Sequence, residues 1–389
     1  MKRLAALFLI IILILSSFAT AIPLSAEEGS FEPQNPFEIN ACSAILMEYE
    51  TGTVLFEQNA DEQLPPASIT KIMTLLLVME ALEAGRITED EKVVTSERAA
   101  SMGGSQIYLK VGEEMSVRDM LKSVVIASAN DAAAALAEHI CGSLEAFVEK
   151  MNEKAAALGM KNTHFENTNG LDDTTVSHYT SARDVALMSR ALLAYPLILE
   201  FSGTWMDSVR DGAFGLTNTN RLVRFYPGAT GLKTGSTSKA KFCISATAKR
   251  DGMHLIAVVM GSPTRDIRNE EAKKLLDYGF ANYALVSDGE EDVGELSVEG
   301  GVQDLCRVRK NAFFAVIPKG DRAKLEKSVS LPPTLKAPIK KGEKIGAITY
   351  TANGKAVGSA DIYASEDVAK ISLGELILRL LRECFCLTV

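Results

Sequence analysis

Strand-like segments stand at both ends of a long helical stretch, and this arrangement limits the fold more than any other feature of the chain. Ala41 to Glu48 and Thr53 to Gln58 read as two strands joined by the turn Glu50-Thr51-Gly52, a hairpin. Pro65-Pro66 then breaks the chain, and Ser68 to Ala84 predicts a helix closed by Gly85. Residues 90–200 read as mostly helical. They contain the apolar run Val117 to Ile126, the alanine-rich run Ala132 to Ile140, and a helix from Ala182 to Leu193 ended by Pro196. At 229–261 the period returns to that of strands: Phe242 to Ala248 and Met253 to Met260 are separated by the hairpin signal Asp251-Gly252. A helix follows over Glu270 to Ala284. This order is not an alternating βαβ pattern. It predicts an α+β domain: one mostly antiparallel sheet built from both ends, with helices packed on it and a helical lobe inserted.

The chain has 389 residues, enough for about two domains. Past residue 288 acidic residues cluster at Asp288 to Asp292, and short strand-like runs such as Ala312 to Ile317 and Lys344 to Tyr350 alternate with Gly and Pro turns. Residues 290–366 therefore predict a small all-β domain, and 367–389 a last helix. At the other end, Lys2 and Arg3 precede the apolar run Leu7 to Phe18, and Ala19-Thr20-Ala21 or Leu24-Ser25-Ala26 offers a cleavage site. Residues 1–26 are expected to be a secretory signal; the run is short for a membrane span of about 20 residues. Residues 27–40 read as a tether. Removing the signal takes Lys2 and Arg3 with it and moves the formal net charge from −9 to −11. That charge argues against nucleic acid and against tight electrostatic binding to anionic lipid. The six cysteines (Cys42, Cys141, Cys243, Cys306, Cys384 and Cys386) form no paired CxxC motifs, and the four histidines lack ligand spacing, so no metal is expected. Disulfides are open to an exported protein, but buried free thiols are the expectation.

Three short motifs carry the chemistry: Ser68-Ile69-Thr70-Lys71, Ser128-Ala129-Asn130 and Lys233-Thr234-Gly235, in that order. Each alone is weak; the ordered triple is not. Ser68 and Lys71 are three apart at a helix start, so their side chains share a face. A serine hydroxyl is a poor nucleophile until a neighbour takes its proton. A lysine takes it only if burial and a nearby positive charge, which Lys233 could supply, lower its pKa. Ser128 can relay a proton to a leaving amine, and Asn130 can hydrogen-bond a substrate amide. Gly235 on a strand lets a substrate backbone approach. Backbone N–H groups of Ser68 and Ser236 are candidates for an oxyanion hole.

The residues around the triple extend the pattern. Pro65 to Thr74, Gly104-Ser105-Gln106, Ile126 to Ala132, Asn167-Thr168-Asn169-Gly170-Leu171, His178 to Ala182, Thr230 to Gly235 and Ala257-Val258-Val259-Met260-Gly261 together resemble the low-molecular-mass penicillin-binding proteins, serine D-alanyl-D-alanine carboxypeptidases, over roughly residues 38–285. The resemblance implies a penicillin-binding-protein-like transpeptidase domain, without cofactor, that trims peptidoglycan stem peptides ending in D-Ala-D-Ala and is inhibited by β-lactams. It implies that Ser68 is acylated, that Lys71 is the general base, and that Ser128, Asn130, Lys233, Thr234 and Gly235 form the second and third motifs. It further implies that Arg268 faces the substrate carboxylate. Where some members carry histidine after the third motif and arginine in the segment before it, this chain has Ser236 and Thr219. His164 and His178 read as structural, and Asp184 as a helix-face acid. Glu166 lacks the pattern in which a β-lactamase glutamate sits. A D,D-endopeptidase, a β-lactamase and a non-catalytic wall protein are the alternatives. On a helix from Ile371 onward, Ser372, Glu375, Arg379, Arg382 and Glu383 fall in one arc of about 100°, and Ile371, Leu373, Leu376, Ile377, Leu378, Leu380, Leu381 and Phe385 cover the rest. Such a helix suits the membrane interface, which would hold the exported enzyme on the outer face of the cytoplasmic membrane.

Overall fold

The computed structural model describes Pro33 and residues 35 to 384. The signal expected over 1–26, and Phe385 and Cys386 near the other end, lie outside the described residues. Strands β1 (Ser43–Glu48) and β2 (Val54–Gln58) pair as an antiparallel hairpin. Its turn is held by the Glu48 carboxylate, which accepts the N–H groups of Glu50 and Thr51, and by Gly52 at φ +71°. Helix α1 (Lys71–Glu83) follows a 3-10 turn over Ala67–Thr70. Gly85, at φ +65°, ends it: the N–H groups of Gly85 and Arg86 turn back onto the carbonyls of Leu82 and Ala81.

The helical lobe comprises α2 (Val117–Ile126), α3 (Asn130–Cys141), α4 (Leu144–Ala157), α5 (Ala182–Leu192) and α6 (Pro196–Ser202). Ser116, Ser143 and Ser181 cap α2, α4 and α5 with their hydroxyls. Pro196, expected to end α5, instead opens α6, because the first helical position needs no N–H donor and suits the fixed φ of proline. Asp184 is not a solvated helix-face acid. It is buried in the first turn of α5 and accepts the N–H of Asn162 and the hydroxyl of Thr163, which ties the preceding segment to the helix.

Strands β3 (Ala229–Thr237), β4 (Lys241–Arg250) and β5 (Met253–Ser262) lead to helix α7 (Arg265–Asn282). That helix starts ahead of the expected Glu270 because Thr264 caps it, and stops before Ala284 because Tyr283 already belongs to a strand. The sheet order is β2-β1-β5-β4-β3, antiparallel throughout. The two ends of the domain therefore meet at β1 and β5, as the sequence order implied. Successive residues face opposite layers. Ile45, Met47, Ile256, Val258 and Met260 enter the core shared with the helical lobe; Ala44, Leu46, Leu255, Ala257 and Val259 pack on Ala272, Leu275 and Leu276 of α7.

The second part of the chain is β-structure. Strand β6 (Tyr283–Asp288) pairs with a later strand, and β7 (Glu291–Glu299) and β8 (Leu305–Lys310) form a hairpin. Then come β9 (Phe313–Pro318), the partner of β6, and β10 (Leu325–Ser330), β11 (Leu335–Lys336), β12 (Lys344–Ala352) and β13 (Lys355–Ala364). Six of these make a sheet of order β10-β12-β13-β8-β7-β11. Asp288, in the acidic run, is structural: it accepts from Lys310 at 2.9 Å, Lys327 at 2.7 Å and the Tyr350 hydroxyl at 2.6 Å. These donors hold its carboxyl well below the usual range, although burial opposes them. Helix α8 (Leu373–Cys384) is the last described element. The five described cysteines are unpaired; Cys243 and Cys306 are buried as expected, whereas Cys384 is exposed.

Candidate active site

Ser68 lies in the 3-10 turn ahead of α1, not in the α-helix itself. Side chains three apart eclipse in a 3-10 turn, which brings Lys71 directly over Ser68: Nζ donates to Ser68 Oγ at 3.0 Å and to the carbonyl of Asn169 at 2.7 Å. The turn is reached through Ala67 at φ +47°, a left-handed conformation that a non-glycine residue holds only under constraint from its surroundings. Two glycines supply that constraint. A Cβ on Gly170 would lie 1.7 Å from the carbonyl oxygen of Ala67, and one on Gly235 would lie 3.0 Å from the backbone nitrogens of Ser68 and Ile69. The loop of residues 167–171 and strand β3 can thus close on the nucleophile from either side only because both positions lack a side chain.

Ser128 sits at φ +64° between α2 and α3, and Asn130 begins α3. Lys233 Nζ donates to Ser128 Oγ at 2.8 Å and to its neighbouring carbonyl, Thr234 O, at 2.9 Å. The amide nitrogen of Asn130 donates to Gly103 O at 2.7 Å, which leaves its buried Oδ1 without a donor among the described residues. Thr234 donates its hydroxyl to Thr219 at 2.8 Å. Ser68, Ser128, Thr219, Thr234, Gly235, Ser236 and Arg268 all line one cleft of about 600 Å³. Arg268 is not a surface arginine: it is buried, and its guanidinium donates to Asn269 Oδ1 at 2.9 Å and more weakly to Cys243 O at 3.4 Å.

The electrostatics follow from burial. Both lysines are fully buried. Desolvation pushes Lys71 well below its ordinary range and the charge of Lys233 pushes it further, while Asp131 opposes. Lys233 is lowered to about 7 by burial, with Arg268 adding repulsion. Arg268 in turn is held down to about 10, chiefly by burial and then by Arg265 and Arg221. A neutral lysine within hydrogen-bond reach of a serine hydroxyl, beside a second lysine on a second serine, is equipped to move protons during acyl transfer.

A family model described as D-alanyl-D-alanine carboxypeptidase matches residues 30–264. The chain belongs to the D-alanyl-D-alanine carboxypeptidase family. A second model, penicillin-binding protein 5, C-terminal domain, matches residues 280–370. The carboxypeptidase is 43% identical to D-alanyl-D-alanine carboxypeptidase DacF of Bacillus subtilis over 95% of both chains. It is 37% identical to DacC of Escherichia coli over 85% of this chain and 84% of that one. Penicillin-binding protein 5 of Haemophilus influenzae superposes with a TM-score of 0.76 at 34% identity, covering 87% of this chain and 100% of that one.

Within the carboxypeptidase, the nine residues singled out by sequence occupy one neighbourhood. Sequence reasoning missed Asn169, whose contribution is a backbone carbonyl and so carries no side-chain signal. It also gave no role to the loop around Gly170, though the Asn-Gly pair marks a turn. Thr219, a departure from some members of the family, accepts the hydroxyl of Thr234. His178 and Glu166 stay outside the cleft. The neutral ring of His178 lies 2.8 Å from the Thr70 hydroxyl and accepts the N–H of Glu166. The Glu166 carboxylate accepts the N–H groups of Val176 and Ser177. Glu166 closes its own loop and borders a different cavity.

Proposed function

We propose that this carboxypeptidase removes the terminal D-alanine of peptidoglycan stem peptides through an acyl-enzyme on Ser68. Neutral Lys71 takes the hydroxyl proton as Ser68 Oγ attacks the penultimate D-alanyl carbonyl. The backbone N–H groups of Ser68 and Ser236 receive the developing oxyanion. Asn130 hydrogen-bonds the substrate amide, and Gly235 admits its backbone alongside β3. The carbon–nitrogen bond breaks as the leaving amine takes a proton by way of Ser128, which Lys233 holds. Thr234 and Arg268 receive the terminal carboxylate, Arg268 as a charge-assisted donor. Water then attacks the ester and returns a proton to Ser68. A β-lactam would take the first half of this path and stop as a stable ester. The observation that carries the reading is the 3.0 Å approach of the fully buried Lys71, whose pKa burial lowers, to Ser68 Oγ. Two measurements test it. A D-Ala-D-Ala peptide should yield free D-alanine, and peptide mapping after penicillin treatment should find the adduct on Ser68; an adduct on another residue overturns the assignment.

The domain limits proposed for the chain are a signal over 1–26, the peptidase over 38–285, the small β domain over 290–366 and an anchoring helix within 367–389. Support for the last comes from α8. Ser372 and Glu375 cap its start reciprocally, and Arg379 pairs with Asp304 of the β domain. Arg379 is thus tied to the β domain, while Leu373, Ile377, Leu378, Leu380 and Leu381 are exposed. Among the described residues no single helix is long and apolar enough to cross a membrane. A helix lying in the outer interface of the cytoplasmic membrane fits these features.

A further inference from the structure

A second cavity, of about 560 Å³, lies on the far side of the loop that holds Lys71. Met102, Asn169, Leu171 and Val148 line it, together with the charged pair Arg98 and Glu145. Two contacts join it to the catalytic cleft. Asn169 gives its carbonyl to Lys71 Nζ, and its side-chain amide donates to Met102 Sδ at 3.4 Å. Leu171 reaches the segment over Asn130: a Cβ on Gly104 would lie 2.7 Å from Asn130 Nδ2 and 3.4 Å from Leu171 Cδ2. Ser105, the next residue, lines the catalytic cleft. The two spaces therefore adjoin along Gly104-Ser105 and Leu171, and a side chain at position 104 would crowd the gap between them.

In the acyl-enzyme reading, the terminal carboxylate lies at Arg268 and the amide on the acyl side lies at Asn130, whose buried Oδ1 lacks a donor. The chain upstream of the penultimate D-alanine then leaves the cleft past Ser105. An extended chain advances about 3.3 Å per residue, so the residue before the D-alanyl pair stands within a side chain's length of Gly104 and Leu171. The lining beyond them fits a side chain that is apolar along its length and carries both charges at its end. Met102, Val148 and Leu171 offer apolar atoms to methylene groups. Arg98, on the one-turn helix Glu97–Ala100, and Glu145, in the first turn of α4, pair at 2.7 Å with side chains 53% and 65% exposed. So exposed a pair adds little to stability. It does match an end group with one ammonium and one carboxylate: the ammonium joins Glu145, and the carboxylate takes the remaining N–H groups of Arg98, which have no other acceptor among the described residues. An amine alone would meet the like charge of Arg98. Glu166 also lines the cavity, but its carboxylate is engaged by the N–H groups of Val176 and Ser177.

We propose that this cavity is a subsite for the side chain of the stem-peptide residue just before the D-alanyl pair. Through Arg98 and Glu145 it selects a side chain that ends in a second amino-acid centre, with free ammonium and free carboxylate, over one that ends in an amine alone. The inference rests on the acyl-enzyme reading above and adds no chemical step to it.

The test uses three acetylated peptides that end in D-Ala-D-Ala and differ only in the preceding residue: 2,6-diaminopimelate joined through one centre with the other free, lysine with a free side-chain amine, or norleucine. Release of D-alanine gives kcat/KM for each. The intact enzyme is expected to prefer the diaminopimelyl peptide to the lysyl one by about fivefold, the scale of an exposed charge pair. Arg98→Gln should bring the diaminopimelyl peptide down to within about twofold of the lysyl one, and Glu145→Gln should also lower it, while the norleucyl peptide changes less than about twofold in either variant. Both side chains are exposed, so penicillin acylation of Ser68 should stay at the native rate in both variants. Equal turnover of the three peptides by the intact enzyme, or losses in the Arg98→Gln enzyme that are the same on all three, would overturn the subsite and leave the carboxypeptidase assignment standing. Release of no D-alanine from any peptide, together with absence of a penicillin adduct on Ser68, would remove both.

Discussion

Lys71 shows how a single side chain acquires its chemistry from its surroundings. The S-x-x-K spacing predicted that it would meet Ser68, and it does. The sequence reading assigned its lowered pKa to Lys233 as well as to burial; burial is the larger cause. The loop around Asn169, far away along the chain, closes on its Nζ with a backbone carbonyl. Lys71→Ala is expected to slow penicillin acylation by about 10²–10⁴-fold, the range for loss of a general base, with circular dichroism unchanged. Because the neutral form is the base and its pKa is lowered, acylation by the intact enzyme should rise with pH along a limb well below the ordinary lysine value of 10.5. Stopped-flow acylation with a fluorescent penicillin across pH reads both; a limb near the ordinary lysine value would exclude Lys71 as base. Arg268 makes a different prediction. Arg268→Ala should depress turnover of a peptide with a free terminal carboxylate far more than that of its amide, because the amide has no charge to lose there. Steady-state kcat/KM on the two substrates decides this, and equal losses would make Arg268 a structural residue only.

Elements position these side chains through backbone contacts that motifs do not describe. The expected helix from Ser68 is a 3-10 turn followed by α1, and the difference places Ser68 and Lys71 in register. Gly170 is the residue on which that turn leans. Gly170→Ala would set a methyl carbon 1.7 Å from Ala67 O at a backbone φ of +87°. It should cost about 2 kcal/mol or more in stability and slow Ser68 acylation, as strain at a special φ does. Urea unfolding and acylation kinetics test this together; a variant with native stability and rate would show that the loop is free to retreat. Helix α8 is the other element whose orientation matters. Its apolar side is legible from the sequence period; that Arg379 reaches Asp304 of the β domain is not. Deleting residues 367–389 should move the enzyme from the membrane fraction to the soluble fraction on cell fractionation. Retention of the truncated chain on membranes would assign attachment elsewhere.

Across the whole molecule, stability should depend on pH through buried histidines. His178 and His254 are each lowered from 6.5 to about 4, chiefly by burial. Below pH 6.5 the unfolded chain binds protons that the folded chain refuses. Their contribution is therefore complete above about pH 6.5 and is lost as pH falls toward 4. Urea unfolding from pH 7 to 4 should show this decline, and His178→Gln should flatten part of it; an unchanged slope would remove His178 from the linkage. By itself the sequence determined the α+β order, the joining of both ends of the first domain in one sheet, the β-rich second part and the identities of the reactive side chains. Those are properties of local period and residue chemistry, which short segments carry. The tertiary structure alone decided that burial lowers both lysines, that Asn169 contributes a carbonyl, that Arg268 is buried, and that Arg221 and Arg265 share the cleft with it. Each depends on segments distant in the chain coming within a few ångströms, and desolvation and charge repulsion exist only once they do.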